Sequence, residues 1–237
     1  MRKLLILVSA LAAACGGGSS KSGGTTPVSG TISGATFTPA DVKALAVQTA
    51  GSTTCTVTAG GGGSLTFAAS GLAIELTSYA NACGDFASAT CAFHKSAVTV
   101  TVLLAMLDTL PPYAAPTIPA GSYPINASTT TINPDGSVVF AQATPTDTTC
   151  GGGNPTQLKS QSGTLRIDSV TGPITGHVSV SFVNSSTQAA AGSLEGDFSA
   201  PLCSASVDVC TLVTNATEAA LSGQPTMLYC TMPGTCQ

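Results

Sequence analysis

A strict two-residue alternation of apolar and polar side chains along residues 174–182 constrains the fold more than any other feature of the sequence. Apolar residues and one glycine hold the even positions, and threonine, histidine and serine hold the odd positions. Because side chains of a strand point alternately to opposite faces, this pattern predicts a strand with one buried and one solvated face. The buried set is Ile174, Gly176, Val178, Val180 and Phe182, and the solvated set is Thr175, His177, Ser179 and Ser181.

Residues 164–168 and 193–198 repeat this alternation, with leucine, isoleucine, glycine and phenylalanine expected on the inner face. Residues 169–173 contain Gly172-Pro173 and supply a turn before the strand at 174–182. Three successive strands of this kind predict an antiparallel meander.

The same pattern predicts further strands upstream. In residues 71–78 we expect Leu72, Ile74 and Leu76 to face the core with Glu75 outside. In residues 96–106 valine and leucine face the core against Thr99 and Thr101, so 97–107 is a core strand and not a membrane segment. The expected strands lie near residues 30–37, 42–49, 53–58, 64–68, 71–78, 96–106, 122–126, 129–132 and 137–142.

Turns and loops complete this prediction. Asn133-Pro134-Asp135-Gly136 predicts a tight hairpin turn with Asp135 and Gly136 at positive φ, so that Asp135 is a turn residue and not a calcium ligand. Residues 110–121 carry four prolines and predict a stiff crossover or edge, because proline cannot donate to a strand ladder. Residues 144–161 predict a second long loop, which a disulfide at Cys150 could pin. The fold class is mainly β, an antiparallel β-sandwich or barrel-like domain of about ten strands with disulfides.

The N-terminus has the three parts of an export signal. Met1-Arg2-Lys3 is basic, residues 4–11 form an apolar run that contains Ser9, and Ala12-Ala13-Ala14 leads to Cys15. The apolar run is too short for a membrane-spanning helix, which needs about 20 residues. The segment resembles the lipobox of bacterial lipoproteins, although Leu11 lies four residues before the cysteine, where three is commoner. The resemblance implies a signal peptide at 1–14 and lipidation at Cys15. The alternative is an ordinary secretory signal that leaves Cys15 as a plain thiol.

Residues 15–27 follow as a lipidated cysteine and a flexible tether of glycine, serine and threonine with Lys21. The expected partner of this end is a membrane, which it contacts through acyl chains on Cys15. Gly16 lacks the aspartate that retains many lipoproteins in the inner membrane. By resemblance, this favours the outer membrane of the cell envelope, on either its periplasmic or its surface face.

Cysteine parity agrees with export. With Cys15 as the lipid carrier, an even number of cysteines remains, enough for four disulfides with no thiol left over. No CxxC pair occurs, so disulfides are expected and a zinc site is not. Eight cysteines allow 105 pairings, and the sequence leaves the connectivity open. The eight are Cys55, Cys83, Cys91, Cys150, Cys203, Cys210, Cys230 and Cys236.

Composition and motifs narrow the function further. After cleavage before Cys15, five basic residues remain against eleven acids, and this net charge of −6 argues against nucleic acid as a partner. The absence of tryptophan counts against a sugar-stacking platform. No Gly-x-Ser-x-Gly, HExxH or close carboxylate pair is present. We therefore expect no enzyme, no metal and no cofactor. His177 is expected on a solvated face, and His94 lies near Asp85 and Lys95 at a strand entrance.

Several segments resemble a recurrent pattern in uncharacterised myxobacterial-type lipoproteins, in which Cys15 is likewise followed by Gly-Gly-Gly-Ser-Ser. The resemblance implies an envelope β protein with an antiparallel β domain at 28–203 and a Cys-rich extension at 204–237 packed on it, whose only helical hint is 217–221. The segments that carry it are residues 72–83, 119–123, 162–165 and 194–203.

Three functions stay open at this stage. The first is a non-enzymatic, membrane-anchored envelope lipoprotein that serves in adhesion, as a scaffold or in binding an unknown envelope or surface partner. The second is a carrier of small hydrophobic ligands. The third is a hydrolase that uses His94 or His177. The carrier would enclose its ligand in a pocket lined by residues such as Phe67, Val100, Leu104 and Phe182.

Overall fold

The computed structural model describes residues 26–48, 54–58, 64–87, 92–127, 131–150, 157–208, 210 and 235–236, and confirms a mainly β fold. The described helix, α1 (Ala82–Ala87), begins where the Asp41 carboxylate accepts the N–H groups of Asn81 and Ala82. Within these residues, no helix is long and apolar enough to cross a membrane. The strands are β1 (Ser29–Ile32), β2 (Ala35–Phe37), β3 (Asp41–Gln48), β4 (Cys55–Thr58), β5 (Ser64–Thr77), β6 (Ala92–Phe93), β7 (Val98–Asp108), β8 (Gly121–Ile125), β9 (Ser137–Pro145), β10 (Leu158–Ser169), β11 (Ile174–Asn184), β12 (Ala190–Ala200), β13 (Leu202–Asp208) and β14 (Thr235–Cys236).

One curled sheet contains most of these strands, in the order β13-β3-β5-β7-β9-β10-β11-β12-β1-β2. β4 adds to β5, β8 adds to β10, and β14 pairs with β6 in a separate two-stranded sheet. The curl is shown by β13, which continues β12 through Pro201 and pairs with β3 at the far end of the order. Ala44 N–H donates to the Pro201 carbonyl at 3.0 Å, so the two ends of the sheet approach each other there.

The pairing of β13 with β3 is parallel, as is that of β14 with β6, and this differs from the expected all-antiparallel domain. The physical reason is the continuity of β12 and β13. A strand that leaves one end of a curled sheet and joins the other end keeps its direction, and β3 runs in that same direction. The sheet is therefore mixed, with antiparallel pairing in its other described ladders.

The predicted meander is confirmed as β10, β11 and β12, paired antiparallel. The apolar residues that the alternation placed inside are buried, from Leu165 and Ile167 through Val178 to Phe198. They belong to a large core on the inner side of the curl, to which β5, β7 and β9 also contribute. The polar residues between them face outward and are exposed or half-buried. The meander therefore has one face buried in the core and one face exposed to solvent.

The expectation that Glu75, Thr99 and Thr101 face solvent is wrong, because all three are buried. A second apolar cluster covers the outer side of β3, β5 and β7, on the same face as Glu75, and includes Leu45 and Leu103. Thr101 Oγ1 donates to Glu75 Oε1 at 3.0 Å within this layer. In these strands both faces are therefore buried, and the alternation distinguishes one buried face from the other. It does not mark a solvent-exposed face.

Three predicted strand boundaries also change. The expected strand at 30–37 is a hairpin, since Ser33 and Gly34 turn with φ of 50° and 80°. The expected strands at 64–68 and 71–78 are one strand, β5. In the expected strand at 129–132, Thr131 and Ile132 lie outside any strand. The side-chain amide of Asn126 donates to the Thr131 carbonyl in place of a strand ladder.

The expected turn at 133–136 is present, since Gly136 N–H donates to the Asn133 carbonyl at 2.9 Å. Only Gly136 has a positive φ, of 82°, so the positive φ predicted for Asp135 is wrong. Asp135 Oδ1 instead accepts from the N–H and the hydroxyl of Ser137, which confirms it as a turn residue and lowers its pKa.

One of the two predicted loops has the expected extent, and the other is shorter than predicted. Residues 109–120 form a crossover from β7 to β8, as expected. The loop expected at 144–161 is shorter, because β9 extends to Pro145 and β10 begins at Leu158. The helical hint at 217–221 lies outside the described residues.

Candidate functional site

The outer side of β10, β11, β12 and β1, which we call the meander face, carries three rows of polar side chains. The register aligns residues from neighbouring strands, so each row runs across the strands. The first row is Ser162, Ser181, Ser193 and Thr31, the second is Thr164, Ser179, Glu195 and Ser29, and the third is Arg166, His177 and Asp197.

The first two rows consist of small hydroxyl side chains and one carboxylate. Ser162 and Ser181 share a hydrogen bond of 3.0 Å between their hydroxyl oxygens. A shallow groove of about 220 Å³ runs over this part of the face, and Ser179, Ser193 and Glu195 also line it. Hydroxyl groups both donate and accept hydrogen bonds, so the groove can pair with a neutral polar partner. Its open, shallow form suits an extended surface and not an enclosed small molecule.

The third row is charged. His177 Nδ1 donates to Asp197 Oδ1 at 2.9 Å, and Arg166 Nη2 lies 3.8 Å from the same oxygen. Arg166 also binds Asp168 with two hydrogen bonds, from Nε at 2.8 Å and from Nη2 at 3.1 Å, and this pairing raises the pKa of the guanidinium. The row is thus a short network of polar and charged side chains across three strands, in which Asp197 accepts from His177 and lies near Arg166.

Asp197 also holds the N-terminal segment of the described chain. Its Oδ2 accepts the Thr26 N–H at 3.2 Å, and its own N–H donates to the Thr26 carbonyl at 2.7 Å. The hydrogen bond from His177 is the main cause that lowers the pKa of Asp197, and the bond from Thr26 adds to it. Gly196 makes this approach possible, because a Cβ there would lie 2.6 Å from Val28 Cα.

The two histidines proposed as catalytic residues lie in separate places. His177 has the Asp197 partner that a general base needs, but within the described part of the chain no hydroxyl hydrogen-bonds to His177. His94 precedes β7 and stacks on the Tyr79 ring, with centroids 3.8 Å apart. Asp85 lies in α1. The structure does not bring the two histidines together.

The cysteines form cross-links between distant parts of the sequence. Cys55 of β4 pairs with Cys210, and Cys83 of α1 pairs with Cys203 of β13. Cys150 is buried and is also disulfide-bonded. These sulfurs are therefore not thiolate ligands for a metal. Of the remaining candidates, Cys236 contributes its backbone to β14, and Cys15, Cys91 and Cys230 lie outside the described residues.

The lining proposed for a hydrophobic ligand pocket is not assembled. Val100, Leu104 and Phe182 pack in the inner core, whereas Phe67 belongs to the second cluster on the other side of the sheet. The four side chains are each almost fully buried. Phe67 lies on the other side because side chains alternate along β5: Phe67 shares a face with Ala69 and Ala73, whereas Leu72, Ile74 and Leu76 face the inner core.

Sequence reasoning found His177 but missed Arg166 and Asp197 beside it, and it missed Thr26, which hydrogen-bonds to Asp197. A signal was present, because a turn at 169–173 fixes which residue of β10 lies beside His177. The contact with Thr26 had no such signal, since 171 residues separate it from Asp197. Comparison of the chain with protein-family models, with curated proteins and with solved structures found no match.

Proposed function

We propose that this chain is a non-enzymatic, lipid-anchored protein of the bacterial cell envelope, in which the meander face binds a partner for adhesion or as a scaffold. The meander face is the observation that carries the proposal. Two rows of polar residues cross four strands in register, a third row crosses three, and all stand on a buried apolar core. Such a face is rigid, so binding does not need to order it first.

The N-terminal sequence supports the anchor. Its basic, apolar and small-residue parts end at Cys15, and the resemblance to myxobacterial-type lipoproteins rests on the residues around it. The described domain begins at Thr26, directly after the Gly- and Ser-rich segment. Disulfides agree with an oxidising compartment outside the cytoplasm. The outer membrane is the favoured location, because Gly16 stands where an aspartate would favour retention in the inner membrane.

The chemistry of the face limits the class of partner. Serine and threonine hydroxyls dominate two rows, and Glu195 adds negative charge beside the groove. This combination favours a neutral or weakly basic polar surface, such as an envelope protein, and disfavours nucleic acid. Affinity would come from many hydrogen bonds and from shape, not from one large apolar pocket.

Paired variants test the face directly. Ser181→Arg with Ser193→Arg places two bulky cations across the groove, and Ser186→Arg with Thr187→Arg adds the same charge in the exposed β11–β12 loop. The labelled mature protein is incubated with envelope fractions, and bound protein is measured. We expect the groove variant to lose about tenfold or more in affinity, since 1.4 kcal/mol corresponds to a factor of ten. The loop variant should bind like wild type.

Equal binding by both variants would remove the meander face from the proposal. Failure of the wild-type protein to bind any envelope fraction or whole cell would contradict the binding function itself.

One observation favours a hydrolase as the second candidate, namely the hydrogen bond between His177 and Asp197. The test is a variant with His94→Ala and His177→Ala, compared with wild type on any substrate that wild type cleaves. Unchanged activity would exclude both histidines as catalytic residues.

A further inference from the structure

Three loops at one end of the curled sheet expose large apolar side chains. We call this end the tether end and define it by residues 109–120, 131–136 and 169–173. Leu110 is 72% exposed, Ile132 is 45% exposed and Val170 is 37% exposed. Burial of such side chains is normally favourable, so three of them together in loops suggest a partner that covers them.

The register shows that these loops share one end. Leu107 N–H donates to the Gly136 carbonyl at 3.0 Å, which joins the end of β7 to the turn before β9. Gly121 pairs with Ile167, which places the end of the 109–120 loop beside the end of β10. The β10–β11 turn with Val170 follows directly.

The N-terminal chain enters the domain at this same end. β1 runs antiparallel to β12, so the residues before Ser29 run towards the end of β12 that adjoins the β10–β11 turn. Thr26 and Pro27 pair there with Asp197, in the row of Arg166 and His177. Arg166 lies only a few residues before that turn.

Hydrogen bonds within the loop hold Leu110 in its exposed position. Asp108 Oδ1 accepts the Leu110 N–H at 3.1 Å, and Oδ2 accepts the Ala114 N–H at 3.0 Å. Tyr113 N–H donates to the Leu110 carbonyl at 2.9 Å, and the Ser70 hydroxyl donates to the Pro116 carbonyl. The loop is thus fixed at its start and at its middle, with Leu110 pointing away from the core. Pro111 and Pro112 beside it are exposed as well.

The opposite end of the sheet differs. Its loops at residues 78–81, 94–97, 146–149 and 185–189 contain mainly serine, threonine, asparagine and charged residues. Among the described residues, the only other exposed large hydrophobic side chain is Leu202, which begins β13. Among the loops that the structure describes, those with exposed large apolar side chains therefore lie at one end, and that end receives the chain from Cys15.

We infer that the tether end rests on the surface of the bilayer that holds the lipid anchor, with Leu110, Ile132 and Val170 in contact with lipid. This inference rests on the proposed anchor at Cys15. The ten residues from Gly16 to Thr25 are rich in glycine and serine, and such a chain has a root-mean-square span of about 17 Å. A tether this short holds the end of the domain from which it emerges close to the membrane. The meander face then extends away from the membrane. Its charged row lies nearer to the bilayer, and its groove lies farther from it.

The charged residues at the tether end indicate which class of lipid surface it can contact. Asp108, Asp135 and Asp168 lie in or beside the apolar loops, and Arg166 is paired with Asp168. The excess of acid disfavours a strongly anionic bilayer, so we expect contact with a zwitterionic surface such as phosphatidylcholine.

A single tryptophan tests this contact, because the natural chain contains none. Leu110→Trp places the reporter in the apolar loop, and Ser186→Trp places it in the exposed loop between β11 and β12. Each full-length, lipidated protein is reconstituted on phosphatidylcholine vesicles with and without brominated acyl chains. Flotation measures the anchor, and tryptophan quenching measures contact with the acyl chains.

We expect both variants to float, and we expect the Leu110→Trp protein alone to lose most of its emission to brominated lipid. If the Leu110→Trp protein floats but keeps its emission, the lipid contact is overturned while the anchor stands. If the Ser186→Trp protein is quenched equally, the orientation is overturned. If neither protein floats, the anchor fails, and the lipid contact fails with it.

Discussion

The carboxylate of Asp197 accepts hydrogen bonds from Thr26 N–H and from His177 Nδ1, one on each oxygen. This single side chain therefore joins the first described residue of the domain to the charged row of the meander. The bond between Asp197 N–H and the Thr26 carbonyl completes the junction. The point at which a tether would leave the domain is thereby fixed relative to the loops of the tether end.

Asp197→Asn should loosen this junction without unfolding the domain. The amide keeps one acceptor, but the charge that strengthens the bonds from His177 and Thr26 is lost. We expect faster hydrogen exchange of the Thr26 N–H, measured by mass spectrometry on peptides that contain it. Asp168→Asn is the matched control, because Asp168 pairs with Arg166 and not with Thr26. Equal exchange rates in wild type and in the Asp197 variant would contradict the role of the carboxylate.

The same junction should depend on pH. The pKa of Asp197 is lowered from its ordinary value of 3.8, first by the hydrogen bond from His177 and then by that from Thr26. A depressed pKa in the folded protein means that the ionised form is stabilised by folding. The contribution is therefore complete above the unfolded pKa and is lost as the pH falls through the lower, folded value. Protection of the Thr26 N–H from exchange should drop below about pH 4 in wild type.

The Asp197→Asn variant supplies the control for this titration, because it has no carboxyl group to protonate at the junction. Protection of the Thr26 N–H in this variant should change less over the same pH interval. A wild-type profile that is flat through this interval would show that the carboxylate does not hold the segment.

Removal of the disulfide between Cys55 and Cys210 should destabilise the domain. Its cysteines are 155 residues apart, so the cross-link strongly restricts the unfolded chain. Cys55→Ala with Cys210→Ala should cost about 2–5 kcal/mol in the free energy of unfolding. Urea denaturation measures this cost. The variant with Cys83→Ala and Cys203→Ala, which opens a link of 120 residues, should show a loss of similar size. An unchanged midpoint in both variants would contradict the cross-links.

Thr101→Val should destabilise the outer layer of the sheet. The substitution removes the hydroxyl that donates to buried Glu75 and leaves the carboxyl group with one partner fewer. We expect a loss of about 1–3 kcal/mol, the usual cost of a buried polar group that loses a hydrogen bond. Thr164→Val is the control, because Thr164 is exposed on the meander face, and it should change stability by less than about 0.5 kcal/mol. Similar denaturation midpoints for the two variants would contradict the structural role of Thr101.

The alternation of residues was a sound guide wherever one face of a strand meets water. β10, β11 and β12 obey it, and Phe182 and His177 lie on the faces that it predicted. The guide failed for Glu75 and Thr101, because a second layer covers the outer side of β5 and β7. Nothing in the local sequence of a strand reports that a distant segment will pack over its polar face.

The long-range features were beyond sequence reasoning for a similar reason. The parallel pairing of β13 with β3 depends on the curl of the whole sheet, and the pairing of Cys55 with Cys210 is one of many that parity allows. The contacts within the charged row could have been predicted more readily. Once the turn between β10 and β11 is placed, the register aligns Arg166 with His177, and the next hairpin aligns His177 with Asp197.

Intact mass spectrometry of the protein from native membranes, before and after reduction and alkylation, tests the proposed lipid anchor most directly. We predict a chain that starts at Cys15 and carries a mass increment of lipid size, with eight new alkylations that appear only after reduction. A chain without lipid, or one that starts elsewhere, would contradict the anchor and with it the proposed contact of the tether end with a bilayer. Thiols that are free before reduction would contradict the expected set of four disulfides.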